Sequence, residues 1–166
     1  LSRLTVMENM MVATKDHVGE SFWGALFGRW RHIEAANAKT AVASLERFGL
    51  DQMRDEYAGS LSGGQRKLLE MARALMVAPD VIMLDEPMAG DNPALTQSLL
   101  GHITGLRKDG KTVIFIEHDM DVVQEISDWV IVMAQGKVIA EGPPGHIASN
   151  PDVIDAYLGR HHGEAP

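Results

Sequence analysis

Three short stretches of this sequence combine residue types that could work on a phosphorylated ligand. Leu61-Ser62-Gly63-Gly64-Gln65 runs directly into a helical pattern. Glycines let backbone N–H groups approach an oxyanion, Ser62 can add a hydroxyl donor, and the dipole of the following helix puts partial positive charge at the same point. Taken alone, such a stretch reads more simply as a glycine turn capping a helix. Val81-Ile82-Met83-Leu84 ends in Asp85 and Glu86. An apolar run closed by two carboxylates describes a buried strand that holds its last side chains at the carboxyl edge of a parallel sheet, where open α/β sheets take ligands. At such an edge Asp85 suits Mg²⁺, an ion that keeps much of its water, and Glu86 suits a base that orients and deprotonates an attacking water. The plain alternative is a strand that ends in a polar turn. In the third stretch Ile114-Phe115-Ile116 leads into Glu117-His118-Asp119, setting an imidazole at the end of a second strand, where it can donate to a terminal phosphate. The other histidines (His17, His32, His102, His146, His161 and His162) read as surface groups.

The elements that must position these residues follow from local pattern. Thr5 and Glu8 have capping-box spacing, which predicts a helix over 6–13. Phe22, Trp23, Leu26, Phe27 and Trp30 recur at helical spacing; their stripe reads as facing a core rather than a partner. Residues 33–48 form an alanine-rich helical pattern with Gly49 where a left-handed C-terminal residue is wanted. From Leu61 onward short β-rich runs alternate with helices, the pattern of an α/β layer with parallel strands. Strands are expected at 81–84 and 112–117, a helix over 66–77, and another starting at Asn92-Pro93, whose pattern Gly105 interrupts. The runs 129–133 and 138–141 flank Ala134-Gln135-Gly136-Lys137, a turn suited to a hairpin. A short helix follows Pro151, and Val153, Ile154, Tyr157 and Leu158 read as the face that docks it.

Composition bounds the function classes. The 166 residues carry 45% hydrophobic and 23% charged side chains, ordinary for a globular chain with a core. A formal charge of −8 has the wrong sign for a protein whose affinity comes from neutralising nucleic-acid phosphates. No apolar run approaches the ~20 residues needed to cross a bilayer, and Glu8, Lys15, Asp16 and Glu20 do not suit a secretory leader. With no cysteine, disulfides and thiolate metal sites are excluded. His161 and His162 lack further ligand spacing, so no structural metal is expected. The expectation is an intracellular chain whose first residue, Leu1, marks a cut.

In order and spacing, LSGGQ, VIMLDEP, AGDNP and FIEHD resemble the ATP-binding-cassette (ABC) ATPases over nearly the whole chain. The resemblance implies an α/β fold: the C-terminal part of a P-loop NTPase (RecA-like) core with parallel strands, preceded by a helical subdomain. The implied division is 1–78 for that subdomain, ending in the signature and its helix, 79–142 for the partial core, and 143–166 for a helical tail. It makes 61–65 the family signature, with Ser62, Gly63, Gly64 and Gln65 meeting ATP, and Asp85 and Glu86 the Walker B pair, binding Mg²⁺ and activating water. It makes 89–93 the D-loop, with Asn92 at the nucleotide, and His118 the switch histidine. Asn92 stands where aspartate is usual and Asp91 where an apolar residue is common. The endings IEHDM and PDVIDAYLG look like the branched-chain amino acid uptake subgroup. No G-x-x-x-x-G-K-[ST] occurs, so the Walker A half is absent and is expected upstream of Leu1.

What the family implies is an ATPase subunit of an importer, cytoplasmic and peripheral on the inner face of the membrane. Its partners would be a second nucleotide-binding subunit, permease subunits and, indirectly, an extracytoplasmic substrate-binding protein, with no nucleic acid. The signature would close on nucleotide held by the other subunit. A soluble ABC-type ATPase acting on nucleic acid or ribosomes is the competing class; the missing coiled-coil insertion and the acidity oppose it. A fragment that merely retains the motifs is the third reading. In the implied core, the strand leading into the phosphate loop lies between the strands ending at His118 and around Ile131, so without it both should show unpaired edges.

Overall fold

The computed structural model describes residues 1–14, 30–88 and 93–158. The stretch holding Phe22, Trp23, Leu26 and Phe27, the tetrapeptide ending at Asn92, and His17, His161 and His162 lie outside these residues, as do the side chains of Trp30, Tyr157 and Leu158. Two compact units account for the chain, Leu1–Leu84 with Ala89–Ile114, and Asp85–Met88 with Phe115–Pro166.

The first unit is mostly helical. Helices α1 (Val6–Val12), α2 (Trp30–Arg47) and α3 (Gly63–Leu75) pack on one another and bury Val6, Met10, Ala41 and Leu45 completely. Thr5 caps α1 with both halves of the expected box: its backbone N–H donates to Glu8 Oε2 (2.7 Å) and its Oγ1 accepts from Glu8 N–H (3.1 Å). Helix α2 ends in a Schellman motif. Gly49 N–H donates to Glu46 O and Leu50 N–H to Leu45 O, with Gly49 at φ +66 and Leu45 and Leu50 both buried. Single 3₁₀ turns follow at Asp51–Met53 and Ala58–Ser60. The helix expected over 66–77 starts three residues earlier, at Gly63, because Ser62 caps it. Helix α4 (Pro93–Lys108) runs straight through Gly105 and buries Leu99, Leu100, Ile103 and Leu106. A Cβ at Gly105 would come within 3.2 Å of Arg47 Nη2, and Arg47 passes on to Asp109 (2.7 Å). The glycine therefore makes room for a side chain from the end of α2.

Strands β1 (Val81–Asp85) and β2 (Thr112–Ile116) form a two-stranded sheet. At one end Thr112 N–H donates to Asp80 O, and at the other Glu86 N–H donates to Ile116 O, so residue numbers rise together and the pair is parallel. Parallel neighbours need a crossover, which α4 supplies between them in sequence. In the second unit α5 (Met120–Ile126) precedes a hairpin of β3 (Val130–Ala134) and β4 (Lys137–Gly142). Its register pairs Val130 with Gly142 and Ala134 with Lys137, with an irregularity between Val132 and Met133. Gln135 (φ +49) and Gly136 (φ +76) make the two-residue turn, whose paired positive φ values match the right-handed twist of the strands. Helices α6 (Pro144–Ile147) and α7 (Pro151–Leu158) cover β4 through Ile147 and Val153. Among the described residues β1–β2 and β3–β4 are separate sheets.

Candidate functional site

In the second unit, the residues expected to do chemistry converge on one sheet edge. Asp85 is the last residue of β1, and Glu86 follows it at φ +43, a left-handed backbone rare for a residue with a side chain. Both carboxylates are exposed, as is His118, which stands just past the end of the neighbouring parallel strand β2. The backbone around His118 is fixed on both sides by carboxylates. Glu117 Oε1 accepts from Met88 N–H at 2.8 Å, and Asp119 Oδ1 accepts from the N–H groups of Asp121 (2.9 Å) and Val122 (3.4 Å), capping α5. Sequence reasoning quoted Glu117 and Asp119 without assigning them a role. Asp119 was findable as a capping residue before an apolar helix; nothing local marks the partner of Glu117, which is 29 residues away.

The signature stretch sits in the first unit, and its loop character is less than its glycines suggest. Ser62 is the N-cap of α3; Gly63, Gly64 and Gln65 are already its first turn. Gln65 N–H donates to Ser62 Oγ (3.2 Å) and Ser62 N–H donates to Gln65 Oε1 (2.9 Å), a second capping box. The N–H groups of Gly63 and Gly64, in the first turn, have no acceptor within the helix. The two glycines differ. A Cβ on Gly63 would meet nothing within 4 Å, whereas one on Gly64 would collide with the side chain of Leu95 in α4. Buried Leu61 anchors the turn. The preceding segment is tied to the N-terminal turn: Val6 and Met7 donate to the carbonyls of Glu56 and Arg54, and Ala58 and Gly59 donate to those of Leu4 and Ser2.

These residues fit Mg-nucleotide in a limited way. Among the described residues no group of three or more His, Asp or Glu side chains could cage a metal. A lone exposed carboxylate at Asp85 nonetheless matches Mg²⁺, which takes one or two carboxylates and fills its shell with water and phosphate oxygens. The start of α3 offers an anion backbone donors and the partial positive charge of the helix dipole, with no cationic side chain from Ser62 to Gln65.

A parallel strand pair whose neighbouring ends carry two carboxylates and a histidine at one edge, in a chain that also has a serine-capped glycine helix start, fits the nucleotide-binding cassette class of α/β proteins. The sequence profile of the ABC transporter family matches residues 1–89, and this chain belongs to that family. A profile for branched-chain amino acid ATP-binding cassette transporters matches residues 137–163. A probable branched-chain amino acid transport ATP-binding protein, LivG, of Archaeoglobus fulgidus is 41% identical over 99% of this chain and 63% of its own length. BraF, a high-affinity branched-chain amino acid transport ATP-binding protein of Pseudomonas aeruginosa, is 42% identical over 94% of this chain and 62% of its own. The chain thus spans less than two thirds of the curated relatives it matches. Among solved structures, an ATP-binding cassette of an ABC transporter in its ADP conformation superposes with a TM-score of 0.78 at 34% identity, over 96% of this chain and 64% of that one. A nucleotide-free cassette gives 0.77 at 36% identity, over 95% and 64%.

Proposed function

We propose that this chain belongs to an ATP-hydrolysing subunit of an importer for branched-chain or related amino acids. The observation that carries the reading is the common edge where Asp85 and Glu86 end one strand and His118 follows its parallel neighbour. Asp85 holds Mg²⁺, Glu86 orients the attacking water and accepts its proton, and His118 donates to the terminal phosphate as its charge redistributes. Bound Mg²⁺ supplies neutralisation of phosphate charge. Ser62, Gly63 and Gly64, with Gln65 bracing the turn, present their donors to a nucleotide held by a second subunit, and Asn92 belongs to the same interface. The profile match at 137–163 and the relatives' names support the amino-acid class of cargo. Permease subunits, and through them an extracytoplasmic binding protein, are the partners, at the inner face of the membrane; no described helix is long and apolar enough to cross it. The division into helical subdomain (1–78), partial core (79–142) and tail (143–166) belongs to the same reading.

The test uses a polypeptide carrying this chain behind a phosphate-binding loop. Glu86→Gln keeps ATP binding and lowers turnover by on the order of 10²-fold or more, because an amide cannot take the proton. His118→Ala impairs hydrolysis more than binding. Ser62→Arg prevents ATP-dependent pairing of subunits on gel filtration while each still binds ATP. Near-normal turnover in Glu86→Gln refutes the assignment.

A further inference from the structure

We propose that Glu117 is a positioning residue that locks the turn carrying Glu86. This rests on the reading of Glu86 as the base. Residues 86–88 turn away from β1 with Glu86 in a left-handed conformation, which a side-chain-bearing residue keeps only where its surroundings hold it. Pro87 has no N–H, so the turn owns two backbone donors. Both go to consecutive residues at the end of β2. Glu86 N–H donates to Ile116 O (3.0 Å), and Met88 N–H donates to Glu117 Oε1 (2.8 Å). Met88 is 8% exposed and the bond is part-buried, so little bulk water is at hand to replace it, and a carboxylate is a strong acceptor to offer. The strained residue is therefore pinned on either side. Because His118 comes next after Glu117, the same clamp sets where the imidazole leaves the strand, so base and histidine share one frame.

Reach and charge can be separated at this position. Glu117→Gln keeps an acceptor oxygen at the same distance and loses the charge; Glu117→Asp keeps the charge and falls one methylene short. In this chain, amide exchange at Met88 rises about tenfold in Glu117→Ala and Glu117→Asp and stays close to the parent rate in Glu117→Gln. In the polypeptide with a phosphate-binding loop, the Ala and Asp variants lose turnover about tenfold with KM for ATP unchanged, and Gln restores it. A Gln variant as impaired as Ala, an Asp variant as active as the parent, or unaltered Met88 exchange in the Ala and Asp variants each overturns the clamp. If Ala does not fold, the Gln and Asp pair decides. Should Glu86→Gln leave turnover unaltered, the base reading fails separately, and Met88 exchange still judges the clamp.

Discussion

Gly63 and Gly64 stand side by side and answer to different forces. Leu95 fills the space where a Gly64 side chain would go, so Gly64→Ala must displace a packed leucine and is expected to cost about 1–3 kcal/mol. At Gly63 the space is open and the residue is already helical, so Gly63→Ala should leave stability unchanged or raise it by up to ~1 kcal/mol. Urea unfolding of the two variants measures this; equal losses would mean that Gly63 is packed as tightly as its neighbour. The comparison also shows which substitution isolates nucleotide chemistry, since a defect in Gly64→Asp would mix a core clash with a lost contact. At this scale the sequence was half legible. Type and spacing single out Ser62, Asp85, Glu86 and His118 as candidates, and the last three share one sheet edge; Leu95 over Gly64 and Glu117 under Met88 have no such signal, because both pairings close over a long stretch of intervening chain and leave no local pattern.

Among elements, the boundaries set by local hydrogen bonds are the legible ones. Thr5/Glu8, Gly49 and the 134–137 turn announce themselves because each is a local exchange of hydrogen bonds. The start of α3 was misplaced because glycines have low helix propensity, yet the Ser62–Gln65 box and the packing of Leu68, Leu69, Met71 and Ala72 outweigh that penalty in the first turn. Gly49→Ala forces a Cβ into the left-handed region and is expected to lower stability by about 1 kcal/mol, read as a lower urea midpoint at constant slope. The junction of α2 and α4 makes a pH prediction. His102 stacks on Phe48 with ring centroids 4.5 Å apart, near the Arg47–Asp109 pair. Burial first, and the Arg47 charge second, lower its pKa below the usual 6.5. The unfolded chain then binds this proton more readily than the folded one, so the contribution is intact above pH 6.5 and is lost as pH falls from there through the folded value. Unfolding at pH 7.5 and 5.5 should show a smaller loss in His102→Asn than in the parent; equal losses would remove His102 as the cause.

Taken whole, the chain shows apolar strand residues to solvent within each unit. In the first, Met83 is 74% exposed, with Val81 and Ile114 also open; in the second, Ile116, Ile131 and Met133 are each more than half exposed. Strands of parallel sheets carry apolar residues on both faces because they are normally covered on both. Together with strand edges that no other described strand pairs, such residues favour association between copies despite the net charge of −8. Sedimentation at rising concentration should show self-association that Met83→Lys and Ile131→Lys reduce; unchanged behaviour would exonerate these faces. Among the described residues no strand pairs with the far side of β2 or of β3, the edges to which the motif order points, while the partition into two units rests on contacts spread over many residues. The two sheets also differ in how the chain must travel to make them. The β3–β4 hairpin closes across Gln135 and Gly136 alone, a search that takes microseconds, while β1 meets β2 only after residues 86–111 have looped back with α4. Refolding should therefore be sequential, the hairpin appearing early and the strand ends that carry Glu86 and His118 coming together late, so that the edge proposed for chemistry is among the last parts of the chain to mature.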